Sequence, residues 1–133
     1  MEKELEKYWV ELSEYDLVTA DAMLSTGRYL YVGFMCHQVI EKILKAYYCN
    51  LFSENAPYTR SLSMLASKTN LYDEFTENIK DFIDELEPLN IEARYPAYKE
   101  RLLKSLDEAK CIQLILNTKD LQLWIKQKLL QAN

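Results

Sequence analysis

The sequence predicts an all-α fold, an up-and-down antiparallel bundle of four main helices plus one short helix, in a single domain over residues 1–133. Two glycines and three prolines are too few for the many turns that a sheet protein of this length needs. Leucine occurs 21 times and valine only four times, a balance that favours helices over strands. Apolar residues also recur at steps of three and four along most of the chain, which is the helical period.

The first two predicted helices are separated by Gly27, which ends the first one. The second helix begins after Arg28 and runs to about Phe52. Because its apolar residues go most of the way around the helix, we expect it to lie at the centre of the bundle. The first helix has one inner stripe instead, which contains Leu5, Trp9, Leu12, Asp16, Ala20 and Met23.

The middle of the chain is predicted to contain a loop and two helices. Ser53–Thr59 forms the loop around Pro57, and a short helix follows near Ser61–Ser67. Apolar residues over Leu71–Leu86 mark the next helix. This helix closes near Pro88, because the residue before a proline avoids helical geometry.

The last segment is predicted to be helical from about Ala97, after a break at Pro96. Its apolar pattern is compatible with two arrangements. Either one long helix continues to the end of the chain, or the helix breaks at Asn117–Thr118.

Several kinds of site are excluded by the residues that the chain lacks. Gly27 and Gly33 are its only glycines, so a glycine-rich phosphate loop is ruled out. Three widely spaced cysteines form no Cys-x-x-Cys pair, which argues against a disulfide framework and favours a reducing cytoplasm. With a single histidine in the chain, we expect neither a metal nor a cofactor. The longest stretch without a charge, Tyr29–Ile40, is too short to cross a membrane.

Charge is unevenly distributed along a chain whose net charge is −5 at pH 7. This acidic balance argues against a general nucleic-acid binder. Residues 98–133 nevertheless carry seven basic and four acidic side chains, and residues 28–52 carry three and one. A phosphate-bearing partner would therefore meet the last segment, or else the second one. Ordinary solvated helix faces are the alternative interpretation.

Three polar residues on predicted inner faces, Asp16, His37 and Glu41, form a candidate buried cluster. Glu41 and Lys45 follow His37 at intervals of one turn, so a hydrogen bond between the histidine and Glu41 is expected. A buried carboxylate such as Asp16 needs a basic partner or backbone donors from a neighbouring helix. The two acids are either a general acid/base pair or structural pins that fix helix pairing, and we assign no catalytic residue.

The connection before the last predicted helix contains the candidate nucleotide- or phosphate-binding residues. Arg94, Lys99 and Arg101 suit phosphate, because the guanidinium fork matches two phosphate oxygens. Tyr95 and Tyr98 can stack on a base. The alternative is an irregular connection whose tyrosines pack on the bundle.

Three motifs, taken in order, resemble the HEPN family of small helical domains, the higher-eukaryote and prokaryote nucleotide-binding group. Residues 16–20 are similar to the family's Asp-Leu followed by Ala. Residues 38–46 resemble its central helix, where a Gln and a small apolar residue lead into Glu-Lys-x-Leu-Lys-Ala. Residues 94–96 match its Arg-Tyr-Pro element. The resemblance spans nearly the whole chain and implies a helical bundle that forms a symmetric homodimer.

The resemblance also identifies what this chain lacks. Relatives that act as metal-independent ribonucleases have an arginine separated from a histidine by four to six residues, and two protomers bring these groups together. After Arg94, the three permitted positions hold Lys99, Glu100 and Arg101, so the catalytic histidine is absent. Many relatives carry His-Asp-Leu after the loop, where residues 60–62 of this chain read Arg-Ser-Leu.

Such domains are often encoded beside a minimal nucleotidyltransferase. The pair can form a toxin–antitoxin unit in which the transferase adenylylates a tyrosine near the active motif. By position, Tyr98 is the nearest candidate for that modification. The resemblance therefore implies a nucleotidyltransferase protein, a nucleotide or an RNA as partner.

Three hypotheses for the function remain open. The first is a non-catalytic binding module, a dimer that binds a nucleotide or a nucleotidyltransferase near Arg94. The second is a ribonuclease toxin with a degenerate site, in which Lys99 or Tyr98 replaces the histidine. The third is a structural dimeric adaptor, in which Arg94 forms a packing salt bridge with Asp16 or Glu41.

Overall fold

The computed structural model describes residues 2–90 and 96–132, and the regular structure in these ranges is entirely helical. The predicted all-α fold is therefore confirmed. Single 3₁₀ turns at Tyr72–Glu74 and Glu87–Asn90 lie on either side of the fourth helix. The helices are α1 (Glu2–Ser25), α2 (Tyr29–Phe52), α3 (Leu62–Lys68), α4 (Glu77–Leu86), α5 (Pro96–Ser105) and α6 (Glu108–Ala132).

Four of these helices, α1, α2, α4 and α6, run alternately up and down. A tight turn reverses the chain between α1 and α2 at Gly27, whose φ of +74° lies in the left-handed region that favours glycine. The ion pairs Lys126–Glu14 and Lys119–Asp21 show that helix α6 is antiparallel to α1. Helix α6 is also antiparallel to α4. Lys110 at the start of α6 pairs with Glu85 near the end of α4, and Lys128 near the end of α6 pairs with Glu74 in the turn before α4.

Helix α2 is the centre of the bundle, as its apolar pattern predicts. It contacts α1, α3, α4, α5 and α6. Gly33 allows a close approach on one side, because a Cβ atom there would lie 3.1 Å from a methyl carbon of Leu89 and 3.3 Å from one of Leu106. The segments that flank α5 therefore pack directly on the α2 backbone.

The predicted start of the helix before Pro88 is wrong by several residues. Helix α4 begins at Glu77 and not at Leu71, and a separate 3₁₀ turn precedes it. The boundary has a physical cause in Thr76, whose Oγ1 accepts a hydrogen bond from the backbone N–H of Ile79 at 3.2 Å. Such an N-cap satisfies a backbone donor that the first turn of a helix leaves unpaired.

Neither of the two arrangements predicted for the last segment is observed. The chain breaks between Ser105 and Glu108, and α6 is continuous through Asn117–Thr118. Asp107 is the cause of this break, because its Oδ1 accepts a hydrogen bond from the backbone N–H of Lys110 at 2.8 Å. The aspartate thus caps α6, and α5 becomes a separate short helix.

Cys36, Cys49 and Cys111 are free and buried, and they pack as small core residues. Burial raises the pKa of the Cys36 thiol to about 12 and that of Cys111 to about 11. These two groups are therefore uncharged thiols near neutral pH. No helix within the two described ranges combines the length and the apolar character that crossing a bilayer requires.

Ser13 joins the three longest helices through one hydroxyl group. It is fully buried on α1, and its Oγ donates a hydrogen bond to the carbonyl oxygen of Val39 in α2 at 2.8 Å. The same Oγ accepts a hydrogen bond from Nε2 of Gln122 in α6 at 2.9 Å. Since all three groups are buried, loss of the Ser13 hydroxyl would leave its two partners without a hydrogen bond, and water would not replace it.

We expect Ser13→Ala to lower the free energy of unfolding by about 1–3 kcal/mol, because it leaves a buried amide donor of Gln122 unpaired. Urea unfolding followed by circular dichroism measures this change. Ser25→Ala is the matched control, since the Ser25 hydroxyl is exposed and bonds only to Ala22 of its own helix. A loss in Ser13→Ala no larger than in the control would contradict the role of Ser13.

Candidate functional site

A polar cleft of about 390 Å³ opens between α1, α2 and the loop that follows α2. It combines three basic groups, a carboxylate and two aromatic rings. Its lining residues are Trp9, Gln38, Glu41, Lys42, Lys45, Tyr58, Thr59 and Arg60. A second cavity, between α4 and α6, is lined largely by apolar side chains such as Ile79, Phe82 and Trp124.

Helix α2 supplies the floor of the cleft, because Gln38, Glu41 and Lys45 follow one another at steps of three and four. Trp9 contributes one wall from the antiparallel helix α1. The loop contributes the other wall after α2 ends at Ser53, which adopts the left-handed backbone conformation. Three segments that are distant in sequence thus converge on one face of the central helix.

Two buried carboxylates beside the cleft each have a lysine partner on α2. Asp16 of α1 pairs with Lys42, and Glu41 Oε2 lies 3.1 Å from Lys45 Nζ. Only 6% of Asp16 and 5% of Glu41 is exposed, so each negative charge requires such a partner. Lys45 Nζ also lies 5.1 Å from the centroid of the Trp9 ring, at cation–π distance.

Glu41 keeps one oxygen without a hydrogen bond from the described part of the chain. This atom, Oε1, is buried, and Nδ1 of His37 lies 3.8 Å from it. That separation is too long for a hydrogen bond, so the predicted bond between His37 and Glu41 is not formed, although the two side chains are neighbours.

His37 is fully buried and uncharged at neutral pH. Burial lowers its pKa to about 4, while the backbone carbonyl of Arg60 acts in the opposite direction and the charges of Arg60 and Lys45 lower the pKa further. A general base must reach its substrate and titrate near the working pH. His37 meets neither requirement and does not replace the histidine that is missing after Arg94.

Arg60 is the exposed cation of the cleft. Its Nη1 donates a hydrogen bond to Oδ1 of Asn90 at 3.1 Å, and Nε2 of Gln38 donates to the same oxygen at 3.3 Å. Because Asn90 is neutral, this bond positions the guanidinium group without neutralising it, and no carboxylate of residues 2–90 or 96–132 forms an ion pair with it. Three cations beside the cleft therefore face two carboxylates, and the cleft carries one net positive charge.

Of the predicted cluster, Glu41 lines the cleft, His37 lies beside Glu41, and Asp16 pairs with Lys42 of the lining. Both acids pair with lysines of α2, which supplies the basic partner expected for Asp16. The adaptor hypothesis assigned Arg94 as a partner for one of these acids. Arg94 lies outside the described residues, and the two acids already have Lys42 and Lys45 as counterions.

The second predicted set lies mostly outside the described residues. Arg94 and Tyr95 lie outside the described residues, as does the side chain of Tyr98. Lys99 and Arg101 are exposed on α5. Neither Lys99 nor Arg101 is among the residues that line the cleft.

Sequence reasoning missed the cleft residues Trp9, Tyr58 and Arg60 as a group. Trp9 was assigned to the inner stripe of the first helix, and Tyr58 to a loop. Arg60 did leave a signal, because it occupies the place of a histidine in the family's His-Asp-Leu element. The structure places Arg60 in the lining of the cleft.

Fold and cleft together define a small helical-bundle module with a mixed polar and aromatic binding surface. The family model of the HEPN domain matches residues 6–127, and the chain belongs to the HEPN family. At the level of the family, this membership supports a nucleotide-binding or ribonuclease-like module. Within residues 2–90 and 96–132, no three histidine, cysteine or acidic side chains are grouped so as to hold a metal ion.

The fold is similar to that in the crystal structure of TT1696 from Thermus thermophilus, with a TM-score of 0.76. The similarity covers 92% of this chain and 97% of the other, at 17% sequence identity. At this identity the likeness shows the fold alone. No curated protein matches the chain.

We expect the free energy of unfolding to fall as the pH decreases from about 6.5 towards 4. Unfolded His37 takes up a proton in this window, whereas the folded state, with its lowered pKa, does not. The unfolded state therefore binds more protons, and stability decreases by at most about 3 kcal/mol from this residue.

Urea unfolding at pH 7 and at pH 4.5 measures this effect against His37→Gln, which keeps a polar side chain but does not titrate. The wild-type protein should lose more stability than the variant over this interval. Equal losses would show that His37 does not carry the pH dependence.

Proposed function

We propose that this HEPN domain is a non-catalytic nucleotide-binding module and that the polar cleft holds the nucleotide. The observation that supports this proposal most directly is the convergence of an exposed arginine with two aromatic rings around one cavity. Arg60 provides the charge, and Trp9 and Tyr58 provide the rings. A nucleotide needs both features, a cation for its phosphate and a flat apolar surface for its base.

The phosphate group is assigned to Arg60 and Lys42. Arg60 is exposed, and its described hydrogen bond is to a neutral amide, so its remaining N–H groups are available to phosphate oxygens. Lys42 is engaged by Asp16 at the edge of the same cleft and adds positive potential there. The net positive charge of the cleft favours an anion over a neutral ligand.

The base is assigned to the aromatic walls. Trp9 is half-buried and lines the cleft, and the ammonium group of Lys45 lies over one face of its ring, so a base would stack on the other face. Tyr58 is fully exposed on the loop and can close over a bound ring. Base–aromatic stacking contributes about 1–3 kcal/mol for each base and tolerates any base.

A second surface is proposed for the larger partner. In this proposal Arg94, Lys99 and Arg101 contact phosphate, and Tyr95 and Tyr98 contact a base or the partner protein. The family resemblance and the exposure of Lys99 and Arg101 on α5 support it. The partner is a nucleotidyltransferase of a two-component, toxin–antitoxin-like system in the cytoplasm, and the domain acts as a homodimer.

The ribonuclease alternative has less support from the residues. It requires Lys99 or Tyr98 to act as the base, because the positions that hold histidine in ribonuclease relatives do not hold it here. Lys99 is exposed, and a lysine needs burial or a neighbouring cation to titrate well below its usual pKa of about 10. The only histidine is enclosed in the core.

Arg60→Ala is expected to weaken the binding of ribonucleoside 5′-monophosphates by roughly tenfold or more, the usual effect of losing a charge-assisted hydrogen bond. Isothermal titration calorimetry with the four monophosphates measures it. Arg101→Ala is the matched control, an exposed arginine on the second surface. Weaker binding in Arg101→Ala and not in Arg60→Ala would place the nucleotide on α5 and refute the cleft assignment, and no binding by the wild type would refute the function.

The two-component proposal has its own test. We expect the tagged protein, pulled down from its own cell lysate, to bring a nucleotidyltransferase with it or to carry one or more nucleotides on a tyrosine. Mass spectrometry of the partners and of the intact bait measures both outcomes. A homodimer without partner or adduct would contradict this part of the proposal and leave the nucleotide-binding part standing.

A further inference from the structure

We propose that the groove between α4 and α6 docks a basic amphipathic segment of a partner protein. An apolar side chain of this segment enters the groove, and a lysine or arginine of the same segment pairs with Asp120 at the rim. The inference is independent of the nucleotide cleft, which lies between α1, α2 and the loop after α2. It depends on two features of the groove, an apolar floor and acidic rims.

The floor of the groove is formed by large apolar side chains from both helices. The cavity has a volume of about 320 Å³, and its apolar lining residues are Ile79, Phe82, Leu121 and Trp124. Trp124 is held in place, since its ring lies 5.7 Å from that of Phe75 and Lys128 Nζ lies 5.5 Å from its centroid. Ile79 and Trp124 are only partly buried, so they keep apolar surface that a docked side chain can cover.

Ion pairs join α4 to α6 at both ends of the groove. Glu85 near the end of α4 lies 2.8 Å from Lys110, and Glu74 in the turn before α4 pairs with Lys128. At each end, therefore, a lysine of α6 compensates an acidic group on the α4 side. Because the helices are antiparallel, the middle of α4 faces the middle of α6 between these two pairs.

The middle of the groove has acidic groups on both sides and no such lysine. Asp120 lines the cavity from α6 and is exposed. Asn78 lines it from α4, and the exposed Asp81 follows three residues later on the same side of that helix. Neither aspartate forms an ion pair within residues 2–90 and 96–132. A cation from a partner would therefore meet carboxylates beside an apolar surface.

The lysines adjacent to these two aspartates in the sequence are engaged elsewhere. Lys119 Nζ lies 3.6 Å from Asp21 of α1, on the other side of α6. Lys80 Nζ lies 3.6 Å from Glu77 and 4.8 Å from the centroid of the Tyr72 ring. The described part of the chain therefore leaves the compensating cation of the groove to a partner.

The charge around the groove indicates a basic protein segment as its occupant. Residues 71–90 carry seven acidic side chains and one basic side chain, so an acidic ligand is repelled. Exposed acidic groups extend along α4 from Glu77 to Glu85, over about two helical turns, which is longer than a single small cation. A segment with apolar and basic side chains at helical spacing matches both the floor and the rims.

The test uses the full chain and a fluorescein-labelled synthetic peptide in which leucine and lysine repeat at helical spacing. Fluorescence anisotropy measures binding, and two peptides of equal length carry glutamate in place of lysine or serine in place of leucine. We expect the leucine–lysine peptide to bind more tightly than either of these. Asp120→Lys should weaken its binding about tenfold or more, because a charge-assisted contact becomes a like-charge contact.

Glu4→Lys is the matched control, since Glu4 is an exposed acid of α1 and its reversal changes the net charge of the protein by the same amount. Binding of the leucine–lysine peptide should remain close to that of the wild type in this variant. Equal losses in Asp120→Lys and Glu4→Lys would show a response to net charge alone and refute the site.

Two further outcomes would overturn the inference without depending on a variant. One is that the wild type does not bind the leucine–lysine peptide, and the other is that it binds the serine–lysine peptide as tightly. Sedimentation equilibrium without peptide tests a second copy of the chain as the occupant. A wild-type dimer that Asp120→Lys converts to a monomer would assign the groove to contacts between copies and refute the basic partner.

Discussion

The structure depends on how the charges of α2 are compensated, since this helix is buried on nearly all sides. Helix α2 carries Glu41 and Lys45 one turn apart, and each is almost completely buried. Removing one member of a buried ion pair destabilises a protein by several kcal/mol, since the other charge remains without compensation. Because this pair is internal to α2, its geometry is set by the helix itself. The Asp16–Lys42 pair uses the same chemistry between helices and so fixes α1 against α2.

The same buried pairs set the polar lining of the cleft. Lys45 satisfies one oxygen of Glu41, and the other oxygen has no hydrogen bond within the described residues. Glu41 is on the central helix, whereas Arg60 is on the loop. Asn90 links helix and loop by accepting hydrogen bonds from Gln38 and from Arg60. The buried polar groups of the cleft are thus held by α2, and its exposed cation is held by the loop.

The fold was predictable from the sequence because its signals are local. The helical period can be read within a few residues, and the scarcity of glycine and proline argues against the turns of a sheet protein. The apolar pattern around all sides of α2 correctly places this helix at the centre. The missed boundaries at Thr76 and Asp107 are set by side-chain caps, which the hydrophobic pattern does not register. The polar cluster was predictable in part, since a spacing of four places His37, Glu41 and Lys45 on one face.

The remainder of the cleft was not predictable by such reasoning. Trp9, Tyr58 and Arg60 meet only because α1 runs antiparallel to α2 and the loop folds back along them. The predicted hydrogen bond of His37 failed for a related reason, because sequence spacing gives proximity but not the 3.8 Å separation or the competing contact from Gln38. Tertiary geometry therefore decides which of several neighbouring polar groups form hydrogen bonds with one another.

In a family that includes both binding and cleaving members, the chemistry of each member depends on individual side chains. The histidine of this chain is in the core, where burial lowers its pKa to about 4 and prevents contact with a substrate. The position that would hold a histidine after the loop holds Arg60, which cannot act as a base because it keeps its proton at any physiological pH. Arginine at this place adds a permanent positive charge beside Trp9 and Tyr58 in the lining of the cleft.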